Sequence, residues 1–418
     1  MRTLLGDRNY RLLLLGQVTS AFGDYAMFLA LGVWAKDLTG SNAAAGLAVL
    51  PFAIPSLFGP ILGVWVDRYP RRWVMIVTDL VAAAAMLSLL GVSGPEDVWM
   101  LFVVSFVEGT CVTVYQGARA GLLVAMLPEE RIGEANGLLQ SSNQAMRLAA
   151  PLVGAGLFAV AGGPAVATLD AATFIASAGL LLALRSPDLA RRTDEVRVWA
   201  ELLEGLRHIG ATPGLRRLTI GTAAVTLLVG MQEVLIFAVI DEGLGRPPEF
   251  LGVIATAQGV GAIAAGVAAG WVLRRIGDLR TIALAAFAGA MGLLLFGTAV
   301  LPLVLLAAVG FGVANTLFMV AYTTVMQVRT ALEMQGRVMT AVEAIITLPF
   351  LVSIAIGAMI VDLIDVRLIY AAEAVGMIGV GVYFLRRPPE TTGAEPAGDE
   401  EAAPPAVGVA LVDRTGSR

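Results

Sequence analysis

Charge, cysteine and histidine are scarce in this sequence. Of 418 residues only 15% are charged, with one cysteine, Cys111, and one histidine, His208. A lone cysteine forms no internal disulfide, and one Cys with one His falls short of the usual zinc ligand set. The same shortage removes Cys–His and Ser–His nucleophile pairs, so no metal centre, no cofactor and no enzyme activity are expected. No G-x-x-x-x-G-K-[ST] loop is present, which argues against an ATP-driven pump. The net charge of −5 is modest, and the basic residues are scattered over short loops, so no nucleic-acid-binding face is expected.

What the chain has instead is apolar surface. It is 57% hydrophobic with a strongly positive mean hydropathy, more than a soluble domain can hide. A bilayer can, and a helix crosses its core with about 20 apolar residues. On that template, spans fall near 10–36, 43–66, 72–92, 98–125, 134–161, 164–185, 216–241, 249–273, 280–300, 302–328, 335–361 and 366–386. The apolar run after the polar Met1–Tyr10 stretch is long and lacks a small-residue cleavage signature, so it reads as an uncleaved first span.

The expected fold is therefore all-α and integral to the membrane, with twelve transmembrane helices. In this arrangement Lys36, Arg246 and Arg367 lie in outside loops, and Arg68, Arg71, Arg72, Arg131, Arg274, Arg275, Arg280 and Arg329 lie inside. That asymmetry places both termini in the cytoplasm.

The halves repeat. Gly63-Val-Trp-Val-Asp67-Arg68 ends span 2, and Gly270-Trp-Val-Leu-Arg274-Arg275 ends span 8. Glu130-Arg-Ile-Gly133 and Glu333-Met-Gln-Gly336 open spans 5 and 11, and Asp170 of span 6 matches Glu373 of span 12. Six spans repeated in one orientation put a substrate path between two pseudo-symmetric halves. The halves are expected at 1–185 and 216–387, joined by a cytoplasmic linker, 186–215, with a disordered tail at 388–418. In the linker, Trp199, Leu202, Leu203, Leu206 and Ile209 recur at helical spacing against Arg197, Glu201, Glu204 and Arg207, the pattern of an amphipathic surface helix.

The loop Gly63-Val-Trp-Val-Asp67-Arg68-Tyr-Pro-Arg71-Arg72 resembles the G-x-x-x-D-R-x-x-R-R signature of the major facilitator superfamily. In that family the cluster latches a cytoplasmic gate. Gly63 would allow close helix approach, and Asp67 is placed to cap a helix N-terminus of the other half. A second stretch runs through Tyr115-Gln-Gly-Ala-Arg119, Leu127-Pro-Glu-Glu130, Ala135-Asn-Gly137, Asn143, Arg147 and Pro151-Leu-Val-Gly154. It is similar to the twelve-span drug and siderophore exporters, the branch that includes macrolide efflux proteins. Ala150 and Ala155 stand where that branch has glycine, and Thr113 where it has arginine, which weakens any inference of antiport from the motif alone.

Charges inside a membrane cost at least about 2.5–3.5 kcal/mol each on insertion scales and need a reason. Asp24 lies roughly 21 Å along span 1 at about 1.5 Å per residue, and Glu108, Arg147 and Glu233 are also deep. The resemblance implies that spans 1, 4, 7 and 10 line the cavity. Phe28, Tyr115, Gln144, Gln232, Phe237, Asn315, Met319 and Tyr322 are then candidate lining residues. A carboxyl shielded from water holds its proton more tightly, and a nearby cation releases it, which links substrate binding to proton movement. Asp24, Glu108 and Glu233 are the candidates for that role, with Arg147 modulating them and Asp24 or Glu108 as its expected carboxylate partner. A structural ion pair is the competing reading. Asp170 and Glu373 are expected to serve helix packing, and Glu343 to meet Arg337 or the gate formed by Gly63, Asp67, Arg68, Arg71 and Arg72.

The resemblance implies export of an amphipathic small molecule (a drug, antibiotic or siderophore-like compound) by proton antiport. The expected setting is the bacterial inner membrane, with the chain acting as a monomer. A lipid or lysolipid flippase on the same fold is the nearest rival, then a nutrient symporter. An intramembrane enzyme lacks its residues, and a sensor lacks a folded soluble domain.

Overall fold

The computed structural model describes residues 4, 6–66, 68–185, 195–330 and 332–386. The tail at 388–418, the linker residues 186–194 and Asp67 lie outside the described residues, as do the side chains of Arg197, Trp199 and Glu201.

In chain order the α-helices are α1 (Arg8–Thr39), α2 (Asn42–Leu47), α3 (Leu50–Ala53), α4 (Gly59–Val66), α5 (Arg71–Ser88), α6 (Val98–Met126), α7 (Glu129–Leu182) and α8 (Glu195–Ala211). There follow α9 (Pro213–Val229), α10 (Gln232–Ala238), α11 (Leu251–Ile276), α12 (Asp278–Phe296), α13 (Leu301–Arg329), α14 (Leu332–Ile360) and α15 (Val366–Leu385). Among the described residues, ten helical stretches are long and apolar enough to cross a membrane. One of them, Glu134–Leu182, holds two spans: it turns at Gly162, whose φ of 74° favours glycine, and resumes at once. The corner packs on Trp34, since a Cβ on Gly163 would lie 2.1 Å from its ring.

The second span differs from expectation. Residues 43–66 read as one continuous helix, but Pro51, Pro55 and Pro60 break it into α2, α3, a tighter turn at Ile54–Phe58, and α4. Each proline removes a backbone donor and crowds the preceding turn. The fractured span lies against α6: the buried Ser105 hydroxyl donates to the Ala48 carbonyl at 2.8 Å, and Gly109 faces the Phe52 carbonyl.

The apolar core is not one mass. A large cluster draws on both sets of six spans, including Met27, Leu31 and Trp34 of α1, Phe237 of α10, and Phe296 and Tyr370. Toward the other end the core divides. One cluster holds Tyr10, Leu13, Met75, Leu122 and Leu181; a separate one holds Leu218, Ile282, Phe318, Met326 and Phe384. The sets are thus fused at the end that carries Lys36 and parted at the end that carries Arg71.

Polar contacts reinforce the fused end. Lys36, only 7% exposed, donates to Asp241 at 2.5 Å, to Asn42 at 2.8 Å and to the Gly40 carbonyl at 2.9 Å. Asn42 in turn donates to Glu242 at 3.0 Å. The helices meet tightly there, for a Cβ on Gly46 would lie 2.2 Å from the Val234 side chain. At the parted end α8 docks on α14 through Glu204 and Arg337, 2.9 Å apart.

Two outcomes follow. Gly109→Val puts a branched side chain where a Cβ already falls 2.0 Å from the Phe52 carbonyl oxygen. It is expected to cost about 1–3 kcal/mol by overpacking, read as a lower Tm of the detergent-purified protein. Lys36→Met removes charged hydrogen bonds worth about 1.5–3 kcal/mol each. Introduced with Ala45→Cys and Cys111→Ser, it should raise labelling of residue 45 by a thiol reagent roughly tenfold. Unchanged labelling would show that the pair does not hold this end shut.

Candidate functional site

Four acidic side chains converge inside the first six spans, each from a different helix arm. Asp24 comes from α1, Asp79 from α5, Glu108 from α6 and Asp170 from the second arm of α7. One carboxylate oxygen each from Asp24, Glu108 and Asp170 lies within 4.8 Å of the others. Glu108 is 1% exposed, Asp170 0% and Asp79 2%. No salt bridge reaches any of the four among the described residues. Both oxygens of Glu108, and one each of Asp24, Asp79 and Asp170, accept no hydrogen bond.

Asp170 does pack as expected: Gly23 has no room for a side chain, since a Cβ would lie 2.2 Å from the Asp170 carboxylate and the Thr173 hydroxyl. Its carboxylate nevertheless belongs to the Asp24–Glu108 group. Asp79 escaped the sequence reading altogether. Its signal was available, because an acid eight residues into an otherwise apolar helix beginning at Arg71 carries the same cost as the others.

Arg147 does not join this group. Among the described residues it makes no salt bridge with Asp24 or Glu108, and its charge acts on Glu233 of the seventh span and on Tyr25. Arg119, beside Tyr115, donates to Gln17 at 3.1 Å, while Gln17 donates to Asn143 at 3.4 Å. This chain ties the fourth, first and fifth spans together.

The expected lining residues separate into two sets. Tyr115, Phe237 and Tyr322 are buried. Phe237 is a wall of the fused end, its ring 2.9 Å from where a Cβ on Gly32 would stand, and Tyr322 stacks on Phe318 at 6.2 Å. Phe28 meets Phe52 edge-on at 5.5 Å. Gln144, Asn315 and Met319 are exposed, as are Arg147 and Glu343. Gln232 donates to Glu373 at 3.1 Å and accepts from the Tyr370 hydroxyl at 3.3 Å, so the span 12 acid is held by a neutral amide.

At the parted end Gly63 has nothing within 4 Å of a would-be Cβ. The close approach expected of it is absent in this conformation because the helix sets have separated there. Arg71 donates to the Gly121 carbonyl at 2.9 Å, and Arg72 to those of Leu181 and Leu182 at 2.8 and 2.6 Å. These cations satisfy carbonyls near helix C-termini within their own set of spans, where the helix dipole favours positive charge.

Comparisons with known proteins agree with this architecture. The family model described as Major Facilitator Superfamily matches residues 13–240 and again 218–415. An uncharacterized MFS-type transporter of Bacillus subtilis (strain 168), YfiS, is 26% identical over 388 residues, covering 89% of this chain and 91% of that protein. Macrolide efflux protein A of Streptococcus pyogenes is 27% identical over 208 residues, 48% of this chain and 51% of that protein. The crystal structure of the nucleoside transporter NupG superposes with a TM-score of 0.70 at 12% identity, over 90% of this chain and 98% of that one. Ten membrane-length apolar stretches among the described residues, one of them turned back at Gly162, a core divided at one end, and a family model that matches twice along the sequence identify this chain as a multi-pass membrane transporter of the Major Facilitator Superfamily.

Proposed function

We propose that the protein exports amphipathic small molecules, of drug, antibiotic or siderophore type, in exchange for protons by alternating access. The observation that carries this reading is the buried carboxylate group beside the path between the halves. Taking 1–185 and 216–387 as those halves, with 186–215 as the linker, the distribution of arginine puts both termini and the parted end in the cytoplasm of a bacterial cell. The conformation is then open inward. The Lys36–Asp241 end is the closed outer gate, and the Gly63–Arg72 cluster is an inner latch in its released state.

Asp24 and Glu108 bind protons from the outside when the outer gate opens and yield them inward. Glu233 and Arg147 face each other across the halves, so a cationic or amphipathic substrate seated between them alters the field at the acids. Proton and substrate then favour opposite gate positions, and transport needs only that difference in affinity. The efflux-type relatives support the direction of transport. The protein is taken to work as a monomer, since each chain supplies both halves.

A lipid flippase is the second reading, favoured by one feature. An open apolar groove of about 460 Å³ runs between α7, α11 and α13, bordered by Leu152, Val253, Val260, Leu306 and Val309. It could admit an acyl chain from the side.

The deciding experiment is efflux from proteoliposomes with and without an imposed pH gradient, comparing wild type with Asp24→Asn. Efflux is expected to follow the gradient and to fall at least tenfold in the variant. Efflux indifferent to both would remove proton antiport and favour the flippase.

A further inference from the structure

The proton reading leaves a question of geometry. Four carboxyl groups from four helix arms have been brought to one place where one or two would carry protons, and none has a basic partner. Each costs about 2.5–3.5 kcal/mol to hold in the membrane. Arg119 is engaged with Gln17, and Arg147 stands toward Glu233 and Tyr25.

We propose that Asp24, Glu108 and Asp170, with Asp79 alongside, form a binding site for one divalent cation of calcium size. The inference builds on the proton-exchange reading, because the cation would compete with protons for the same carboxylates.

Spacing points to the ion. An oxygen ligand sits about 2.3–2.6 Å from Ca²⁺, so two ligands on opposite sides of it are about 4.6–5.2 Å apart. The three carboxylate oxygens fall within 4.8 Å of one another, so one ion can touch them all. Donor chemistry narrows the class: carboxylate oxygens suit calcium, manganese and magnesium rather than the softer metals. Cys111, one turn beyond Glu108, is not among the converging ligands.

Unmet polar atoms point the same way. Glu108 is 1% exposed, lies in the group, and has neither oxygen engaged. Two further buried groups, the Tyr115 and Ser177 hydroxyls, stand beside Asp79. They can orient that carboxylate or a water on the ion. The other half of the molecule supplies a contrast. Glu373 is the repeat counterpart of Asp170, yet it meets the Gln232 amide at 3.1 Å where Asp170 meets Asp24 and Glu108. Asp170 also accepts from the Thr173 hydroxyl at 3.3 Å, and each acid keeps one oxygen unengaged; the difference is that further acids gather around Asp170.

Protons should oppose the ion, because ligands bind metal only when deprotonated. The titratable or charged groups facing the site are Asp24 and Tyr25 from α1, Asp79 from α5, Glu108, Cys111, Tyr115 and Arg119 from α6, and Asp170 from α7.

Equilibrium binding of ⁴⁵Ca²⁺ to the purified full-length protein in detergent tests the proposal without any transport. One saturable ion per chain is expected, with affinity falling as pH is lowered from about 8 to about 6. Glu108→Gln and Asp170→Asn should each weaken it tenfold or more, and Glu373→Gln should leave it unchanged. Both acid-to-amide changes are nearly isosteric, and a Tm measured without calcium verifies that each variant is folded. No saturable binding in the wild type would overturn the site, as would equal binding in a folded Glu108→Gln. The outcomes separate from those of the antiport test. Absent calcium binding with gradient-driven efflux that fails in Asp24→Asn removes the cation site and leaves proton exchange standing. Calcium binding with gradient-independent efflux does the reverse.

Discussion

The apolar core that both sets of spans share around Lys36 governs the rest of the molecule. Where Met27, Trp34, Phe237 and Tyr370 belong to one cluster, the two sets cannot part without exposing apolar surface to water, at about 25 cal/mol per Å². Where the core has already divided, between the clusters around Leu122 and Phe318, no such cost is due. A transporter must be able to exchange these two conditions, so neither closure can be very strong. The Lys36–Asp241 pair suits that demand: Lys36 is buried but Asp241 is half exposed. Water remains on hand to take up the charges when the pair separates, which keeps the opening cost below that of a fully buried ion pair.

The two halves use one fold for different electrostatic ends. In the second half Gln232, Tyr370 and Glu373 form a hydrogen-bonded chain, which ties the seventh and twelfth spans together. In the first half the equivalent level of the bundle collects carboxyl groups with no amide or guanidinium among them. Such an arrangement persists in a low-dielectric interior only if its charge is neutralised by protons or another cation. Asymmetry of this kind lets a pseudo-symmetric scaffold couple to an ion gradient on one side and shape its pocket on the other.

Much of this was legible in the residues. Hydropathy and loop arginines located the spans to within a few positions, and the break between spans 5 and 6 was expected at 162–163, where Gly162 turns the chain. The gate motif was visible as a string. The second span was located, but its average hydropathy gave no sign of the turns that Pro51, Pro55 and Pro60 put into its helix. Asp24 and Glu108 stood out by depth, whereas Asp79 did not, and nothing in one dimension shows that acids 29 to 91 residues from Asp79 share its surroundings. Depth along a helix is readable from the count of residues, but the face it turns to depends on the packing of its neighbours.

The corner at Gly162 has a mechanical meaning. Most spans here are joined by segments that can absorb a few ångströms of relative movement, but the fifth and sixth are one rod bent on a single residue. One arm bears Arg147 and runs against α11 of the opposite half; the other arm bears Asp170. With no slack at the bend and Trp34 wedged against it, a tilt of the first arm is delivered to the second as a turn about Gly162. The geometry around Asp170 is therefore geared to the contact between the halves, and a change in one is felt in the other.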